Sequence, residues 1–265
     1  MSRCFLIDIE GVLVRDKRYT PVDGAVVWLN GLADQGVRWC LVSNNTTHSP
    51  ADLVADLQRA GFDVAPERLI GALSTGVDWL RQQGHHRLGW LGASELHPWL
   101  ESQGLEPVDP SSLDCDAVVL GAASTLTVDD LDRALGWIRR GADLLCLHRN
   151  RFWLDGKGSL RLGPGAWAAA LETAAPEVRT VTAGKPEPAV YEQALEYLGA
   201  LPSEALFISD DPFTDLVGAR RLGLATVLVL SGKYPDRDIL TSLPDDQQPD
   251  LVLARADQLR RDLLP

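Results

Sequence analysis

Short runs of β-branched and aliphatic residues alternate along this chain with longer stretches in which apolar residues return every three or four positions. This is the pattern of parallel strands joined by crossover helices, an α/β chain. It predicts a strand over Cys4–Ile9, a helix over Val22–Gln35 ended by Gly36, a strand over Val37–Val42 and a helix over Pro50–Ala60 stopped by Gly61. The middle repeats the pattern, with strands at Arg87–Leu91, Ala117–Gly121 and Asp143–His148 and helices at Ser94–Gln103, Val128–Arg140 and Ala166–Ala174. From Val181 the first pattern resumes: a helix Pro188–Leu198, a strand Ala205–Ser209, a helix Phe213–Leu222, a strand Ala225–Leu230 and a last strand Leu251–Leu253. Of the eight tryptophans, Trp79, Trp90, Trp99, Trp137, Trp153 and Trp167 fall in the middle and only Trp28 and Trp39 outside it. That shift predicts a core domain made of residues 1–73 and 181–265, interrupted by a second domain at 74–180.

Composition narrows the class. Apolar residues at 45% and charged residues at 23% are the balance of a soluble globular protein and exclude disorder, collagen and coiled coil as the main architecture. Twenty-five Lys and Arg against 37 Asp and Glu leave a net charge of −12, so there is no basic field to collect nucleic acid or anionic lipid. The longest uncharged apolar run, Leu222 to Gly232, is about half the ~20 residues of a membrane span. No small-residue cleavage site follows the N-terminal apolar run, so the expected location is the cytoplasm. Cys4, Cys40, Cys115 and Cys146 lie far apart, without a C-x-x-C, and are expected to be buried free thiols.

In open parallel sheets ligands bind beyond the carboxyl ends of the strands, and four segments there carry chemistry: Asp8-Ile9-Glu10-Gly11, Ser43-Asn44-Asn45, Gly184-Lys185-Pro186, and Ser209-Asp210-Asp211 with Asp215. Each has a plainer explanation alone, as a turn, a helix cap or a solvated loop. Together they suit phosphoryl transfer from a monoester to a carboxylate. Asp8 is the candidate nucleophile, Asp8 and Asp210 are hard oxygen ligands for Mg²⁺, and Ser43, the Asn44 N–H and Lys185 hold the transferring oxygens. A cation is required, because several carboxylates would otherwise repel a phosphate dianion.

The order of these segments around an insertion, with LVSNNTT, AGKPEP and ISDDPFTDLVGARRLG, resembles the haloacid dehalogenase superfamily, subfamily IIA, which includes the NagD-like phosphatases. Gly163-Pro164-Gly165 with Ala170-Leu171-Glu172, Ser209-Asp210-Asp211 and Ser231-Gly232-Lys233-Tyr234 are similar to its phospholysine phosphohistidine inorganic pyrophosphate phosphatase subgroup. The resemblance implies a Rossmann-like core with a parallel sheet and an α/β cap of the C2 type that closes over the site. It also implies a Mg²⁺-dependent phosphatase for a small phosphorylated metabolite, working through an aspartyl-phosphate, and a homodimer through the cap. In that scheme Asp8 and Glu10 are catalytic, the metal takes Asp8, the Glu10 carbonyl and Asp210, and Asp215 and Asp211 support it without touching it. Glu10 departs from the superfamily's usual Asp, which leaves open a phospho-ligand binding protein or a phosphotransferase on the same scaffold. Dehalogenation needs no metal, and the Asp210/Asp215 pair speaks against it. His148, Arg149 and Arg151 stand where NagD-like relatives carry T-N-P-D; they are either contacts for a second anionic group of the substrate or a solvated strand end. His85-His86 is expected to be an exposed loop.

Overall fold

The computed structural model describes residues 4–154 and 159–259. The chain divides into two compact units, a core unit of residues 4–43, 51–70 and 185–259 and an inserted unit of residues 44–50 and 71–184. The chain opens with β1 (Cys4–Ile7), α1 (Ala25–Asp34), β2 (Arg38–Ser43), α2 (Pro50–Arg59) and β3 (Leu69–Gly71). The inserted unit follows with α3 (Ala72–Gln83), β4 (Arg87–Leu91), α4 (His97–Ser102), β5 (Glu106–Pro107), β6 (Ala117–Leu120) and α5 (Val128–Ile138). It continues with β7 (Asp143–Cys146), β8 (Phe152–Leu154), β9 (Leu160–Leu162), α6 (Pro164–Ala174) and β10 (Thr180–Thr182). The core then resumes with α7 (Pro188–Leu198), β11 (Ala205–Ser209), α8 (Val217–Arg221), β12 (Ala225–Val229) and β13 (Leu251–Leu253).

The core sheet has the order β13-β12-β11-β1-β2-β3, and β1 runs parallel to both β2 and β11. Its strands are apolar on both faces because both faces are covered. Phe5 and Ile7 of β1 face one cluster with Leu29, Trp39 and Leu57, while Cys4 and Leu6 face another with Tyr191, Leu195 and Phe207. The chain builds outward from β1 in one direction and from β11 in the other, so strand order reverses between them. That is where a doubly wound sheet opens a crevice at its carboxyl end. Ile7 pairs with Ile208 on one side and Leu41 on the other, which sets Asp8, Ser209 and Ser43 at neighbouring strand ends.

The inserted unit is a second α/β layer, with the all-parallel order β10-β7-β6-β4-β5 and an antiparallel ribbon β8–β9. Its tryptophans fill the two layers. Trp137 is buried beside Leu120 and Leu144, and Trp79, Trp90 and Trp99 pack partly buried against Leu73, Leu88 and Leu100.

Several elements differ from the sequence expectation. Helix α3 has no counterpart in that expectation; Leu73, Val77 and Leu80 bury one face of it. Gly76 lets the helix pack closely there: a Cβ would stand 2.6 Å from Leu147 Cδ2, so that leucine would have to shift. The stretch Ser94–Gln103 splits into a 3-10 turn, Ser94–Leu96, and α4, with Pro98 in the first turn of the helix. The helix expected over Phe213–Leu222 begins as a π-helical turn, Pro212–Leu216, before α8. Strand β10 pairs with β7 and so belongs to the inserted sheet, which carries that unit to Gly184 rather than 180.

All four cysteines are free, with Cys4, Cys40 and Cys146 buried and Cys115 partly so. Burial pushes the Cys146 thiol up to about 12 and the Cys115 thiol to about 11. Since the thiolate is the reactive form, native protein at pH 8 is expected to give no fast reaction with an aromatic disulfide reagent and four equivalents once unfolded, read by absorbance. A rapid native equivalent would contradict this packing. No helix among the described residues is long and apolar enough to cross a membrane.

Candidate active site

The site grows from the end of β1. Asp8 continues the ladder by one bond, its N–H donating to Ile208 O at 2.9 Å, and its carboxylate is then held by a buried lysine. Lys185 Nζ donates to Asp8 Oδ1 at 2.6 Å, to Asp215 Oδ2 at 2.7 Å and to the Val42 carbonyl at 3.2 Å. All three donors of the ammonium are thereby engaged, with the lysine only 2% exposed. Lys185, from the loop before α7, lies 177 residues from Asp8.

Asp215 reaches this lysine because of the π-helical turn. The N–H groups of both Asp215 and Leu216 point to the Asp211 carbonyl, each at 3.2 Å; the wider turn is a form that recurs at functional sites. Ser209 Oγ donates to Asp215 Oδ2 at 2.7 Å, and the Tyr191 hydroxyl donates to the Asp215 carbonyl at 2.8 Å. Asp211 caps the turn, its Oδ1 accepting from Phe213 N and Thr214 N at 3.0 and 3.1 Å. Its other oxygen accepts from Lys233 Nζ at 2.7 Å.

Asp210 is wedged between two glycines. A Cβ on Gly11 or on Gly232 would stand 2.0 Å from Asp210 Oδ2, and Gly11 has φ +80°, so only glycine fits both the space and the backbone there. One oxygen of Asp210 accepts the Lys233 N–H at 2.6 Å.

Two buried carboxylates, Asp8 and Asp215, therefore share one buried ammonium, and Asp210 is a third buried carboxylate of the site. Burial is the largest cause that raises each of them above the usual carboxylate range. On Asp8 it is opposed by Lys185 and reinforced by Asp215 and Asp210, and on Asp215 it is opposed by Lys185 and reinforced by Asp211. On Asp210, pushed to about 6, it is opposed first by the Lys233 N–H and reinforced by Asp215 and Asp211. On Lys185 burial acts downward, but Asp215 and Asp8 outweigh it and raise the ammonium above its ordinary value.

These donors fit a hard divalent cation. Asp8 and Asp210 offer carboxylate oxygens, the Glu10 carbonyl lies between them in sequence, and the excess negative charge is what a cation would offset. Among the described residues no three His, Cys, Asp or Glu side chains form a group that could hold a metal ion by themselves.

The remaining candidates sort less tightly. Ser43 ends β2 and is buried. Asn44 begins the 44–50 segment of the inserted unit, with its amide oxygen against Gly184, where a Cβ would come within 2.3 Å. Asn45 is a local cap, its Oδ1 accepting from Thr47 N and His48 N at 3.0 and 3.1 Å. Glu10 does not join the buried cluster: its side chain is 48% exposed and forms an ion pair with Lys17 of the same loop. Lys17 gave no signal in the sequence, because partners seven apart in an irregular loop follow no periodicity.

In the inserted unit, Arg149 is committed to structure. It makes a two-pronged pair with Glu172 at 2.8 and 3.1 Å and donates to Thr182 Oγ1 at 2.9 Å. His148 is buried with Nε2 3.3 Å from Thr46 Oγ1, and Arg151 is exposed. His85 departs from the exposed loop expected of it: it lies 3.1 Å from Asp143 and packs edge-on to Trp79.

A haloacid dehalogenase-like hydrolase model matches residues 5–106, and a HAD-hydrolase-like model matches residues 182–259. Dihydroxyacetone phosphatase from Corynebacterium glutamicum is 30% identical over 237 residues, which cover 89% of this chain and 83% of that protein. The chain belongs to the haloacid dehalogenase-like hydrolase family. Another member, human haloacid dehalogenase-like hydrolase domain-containing protein 2, is 30% identical over 89% of this chain and 87% of its own length. Among solved structures of the family, p-nitrophenyl phosphatase from Archaeoglobus fulgidus superposes with a TM-score of 0.85 at 25% identity, covering 97% of both chains. The α/β fold with a parallel core sheet and an inserted cap is thus the fold of this hydrolase.

Proposed function

We propose that this hydrolase is a Mg²⁺-dependent phosphatase of small phosphomonoesters that works through a phosphoenzyme on Asp8. The observation that carries the reading is the Lys185 ammonium clasped between Asp8 and Asp215 at the end of the central strand, beside Asp210. The phosphatase names of its relatives support it.

In the first step a carboxylate oxygen of Asp8 bonds to phosphorus as the bond to the leaving oxygen breaks, and that oxygen takes a proton from Glu10. In the second, a water gives its proton to Glu10 and attacks phosphorus, breaking the bond to Asp8 and releasing inorganic phosphate. Lys185, Ser43 and the Asn44 N–H hold the non-bridging oxygens as charge spreads over them. Asp8, Asp210 and the Glu10 carbonyl would hold Mg²⁺, with Asp215 behind them; Asp211 is taken up by its cap and by Lys233. The bound cation supplies charge neutralisation for the phosphoryl group. For its part, Glu10 exchanges Lys17 for the leaving oxygen.

The Glu10–Lys17 pair also favours a second reading, a protein that binds a phospho-ligand without turning it over. Phosphate release from p-nitrophenyl phosphate and from an alkyl phosphate, with Mg²⁺ and with EDTA, separates the two. Wild type is expected to release phosphate from both only with Mg²⁺. Glu10→Gln is expected to lower alkyl phosphate turnover by about 10²- to 10⁴-fold, yet still give a nitrophenolate burst, since that leaving group needs no proton. Equal alkyl turnover in Glu10→Gln removes the acid/base role. Mg²⁺-dependent phosphate binding without release selects the second reading.

A further inference from the structure

Ser231-Gly232-Lys233, the segment that follows β12, touches the carboxylate site at three successive residues, none of which the reaction above uses. Ser231 Oγ donates to the Gly11 carbonyl at 2.6 Å. Gly232 lies against Asp210 and Gly11, where a Cβ would come within 2.5 Å of Gly11 Cα. Lys233 addresses two adjacent carboxylates with two different groups, its backbone N–H to Asp210 Oδ2 at 2.6 Å and its Nζ to Asp211 Oδ2 at 2.7 Å.

Asp211 needs such a partner. Its Oδ1 is taken by the cap to Phe213 and Thr214, so Oδ2 is the oxygen left to compete for a cation or repel an anion. Asp211 is well buried, with 13% of its side chain exposed, while Lys233 reaches it from a half-exposed position.

Resting on the phosphatase reading, we propose that Lys233 is a positioning residue of this site. Its backbone orients Asp210, and its ammonium holds Asp211 away from the cation and cancels a charge that would repel the phosphate dianion. Lys233→Met keeps the N–H and the stem and removes only the ammonium, so it isolates the second role.

The test uses the full chain. Inorganic phosphate binding is measured by calorimetry at saturating Mg²⁺, alongside Mg²⁺ binding alone and the thermal midpoint. Lys233→Met is expected to weaken phosphate binding about tenfold, a modest figure because the lysine is half exposed. Mg²⁺ alone is expected to bind that variant as tightly as wild type or tighter, because a cation has been removed. Adding Asp211→Asn is expected to recover most of the phosphate affinity, since Asn keeps the Oδ1 cap without the charge. Lys233→Arg should behave as wild type. Phosphate binding by Lys233→Met within twofold of wild type overturns the role, as does a loss that Asp211→Asn fails to recover. Lys233→Gln carries the same test should Lys233→Met not fold. A wild-type protein that binds no phosphate with Mg²⁺ overturns the phosphatase reading and this role together. Normal wild-type binding with an indifferent Lys233→Met overturns this role alone.

Discussion

Asp8→Asn is expected to abolish Mg²⁺-dependent phosphate release, with a loss on the order of 10⁴- to 10⁶-fold in kcat, the scale seen when a nucleophile is removed. Asparagine fills the same volume and its Oδ1 still accepts from Lys185 Nζ, which lies 2.6 Å from Asp8 Oδ1, so the fold should persist. It should even gain. Asp8 is 8% exposed, and its carboxyl is raised well above the usual range, first by burial and then by Asp215 and Asp210 against the pull of Lys185. A raised acid binds more protons folded than unfolded, so its ionisation costs stability increasingly as pH rises from the unfolded value towards the folded one. Relative to wild type without metal, Asp8→Asn is therefore expected to gain thermal midpoint from pH 5 to pH 7.5. Full kinetic loss with an undiminished midpoint is the expected signature. Turnover within tenfold of wild type would remove Asp8 from the nucleophile's place.

Lys185→Met is expected to have the largest effect on stability. The ammonium is buried and bridges two buried carboxylates; removing one partner of such an arrangement leaves uncompensated buried charge and costs about 3–5 kcal/mol. At roughly 2–4 °C per kcal/mol for a protein of this size, a 3 kcal/mol loss lowers the midpoint by about 6–12 °C at pH 7.5. The sign of the pH dependence follows from the carboxylates. Lys185 opposes the upward push on Asp8 and Asp215, so without it both rise further. The deficit against wild type then grows with pH above the unfolded carboxylate range and shrinks towards pH 5, where the two groups take up protons. Lys185 itself stays charged throughout that window, because its folded value is raised. Calorimetric scans of both proteins at pH 5 and pH 7.5 check this, and a deficit independent of pH would contradict the bridge.

The same contacts show how far the sequence could be read. Strand ends and helix faces follow short periods, two for a strand and 3.6 for a helix. Asp8, Ser43 and Asp210 are therefore legible as residues at strand ends, whereas Lys185, grouped with them, stands in the loop before α7. The π-helical turn at Pro212–Leu216 is not legible, because it depends on Asp211 accepting two backbone donors of the turn while its carbonyl accepts two more. Helix α3 is not among the predicted elements, and the close approach of its Gly76 to the side chain of Leu147 joins residues too far apart in the chain for a local pattern to record. Nor did residue type decide between ligand and structure for Arg149, whose fate depends on Glu172 and Thr182 on two other elements.

An α/β chain, four chemistry-bearing segments in a fixed order and an excess of acid over base follow from composition and from neighbours a few residues apart. The folded chain adds that one lysine bridges Asp8 and Asp215, that Asp210 sits between Gly11 and Gly232, that Glu10 pairs with Lys17, and that Lys233 meets Asp210 and Asp211. Apart from the Glu10–Lys17 loop pair, which follows no periodicity, these pairings join segments distant in the chain. Those of Asp210, Gly11, Gly232 and Lys233 exist because β1, β11 and β12 lie in consecutive places in one parallel sheet, whose packing brings their carboxyl ends together, while Lys185 enters from the loop before α7; no local pattern of residues records either.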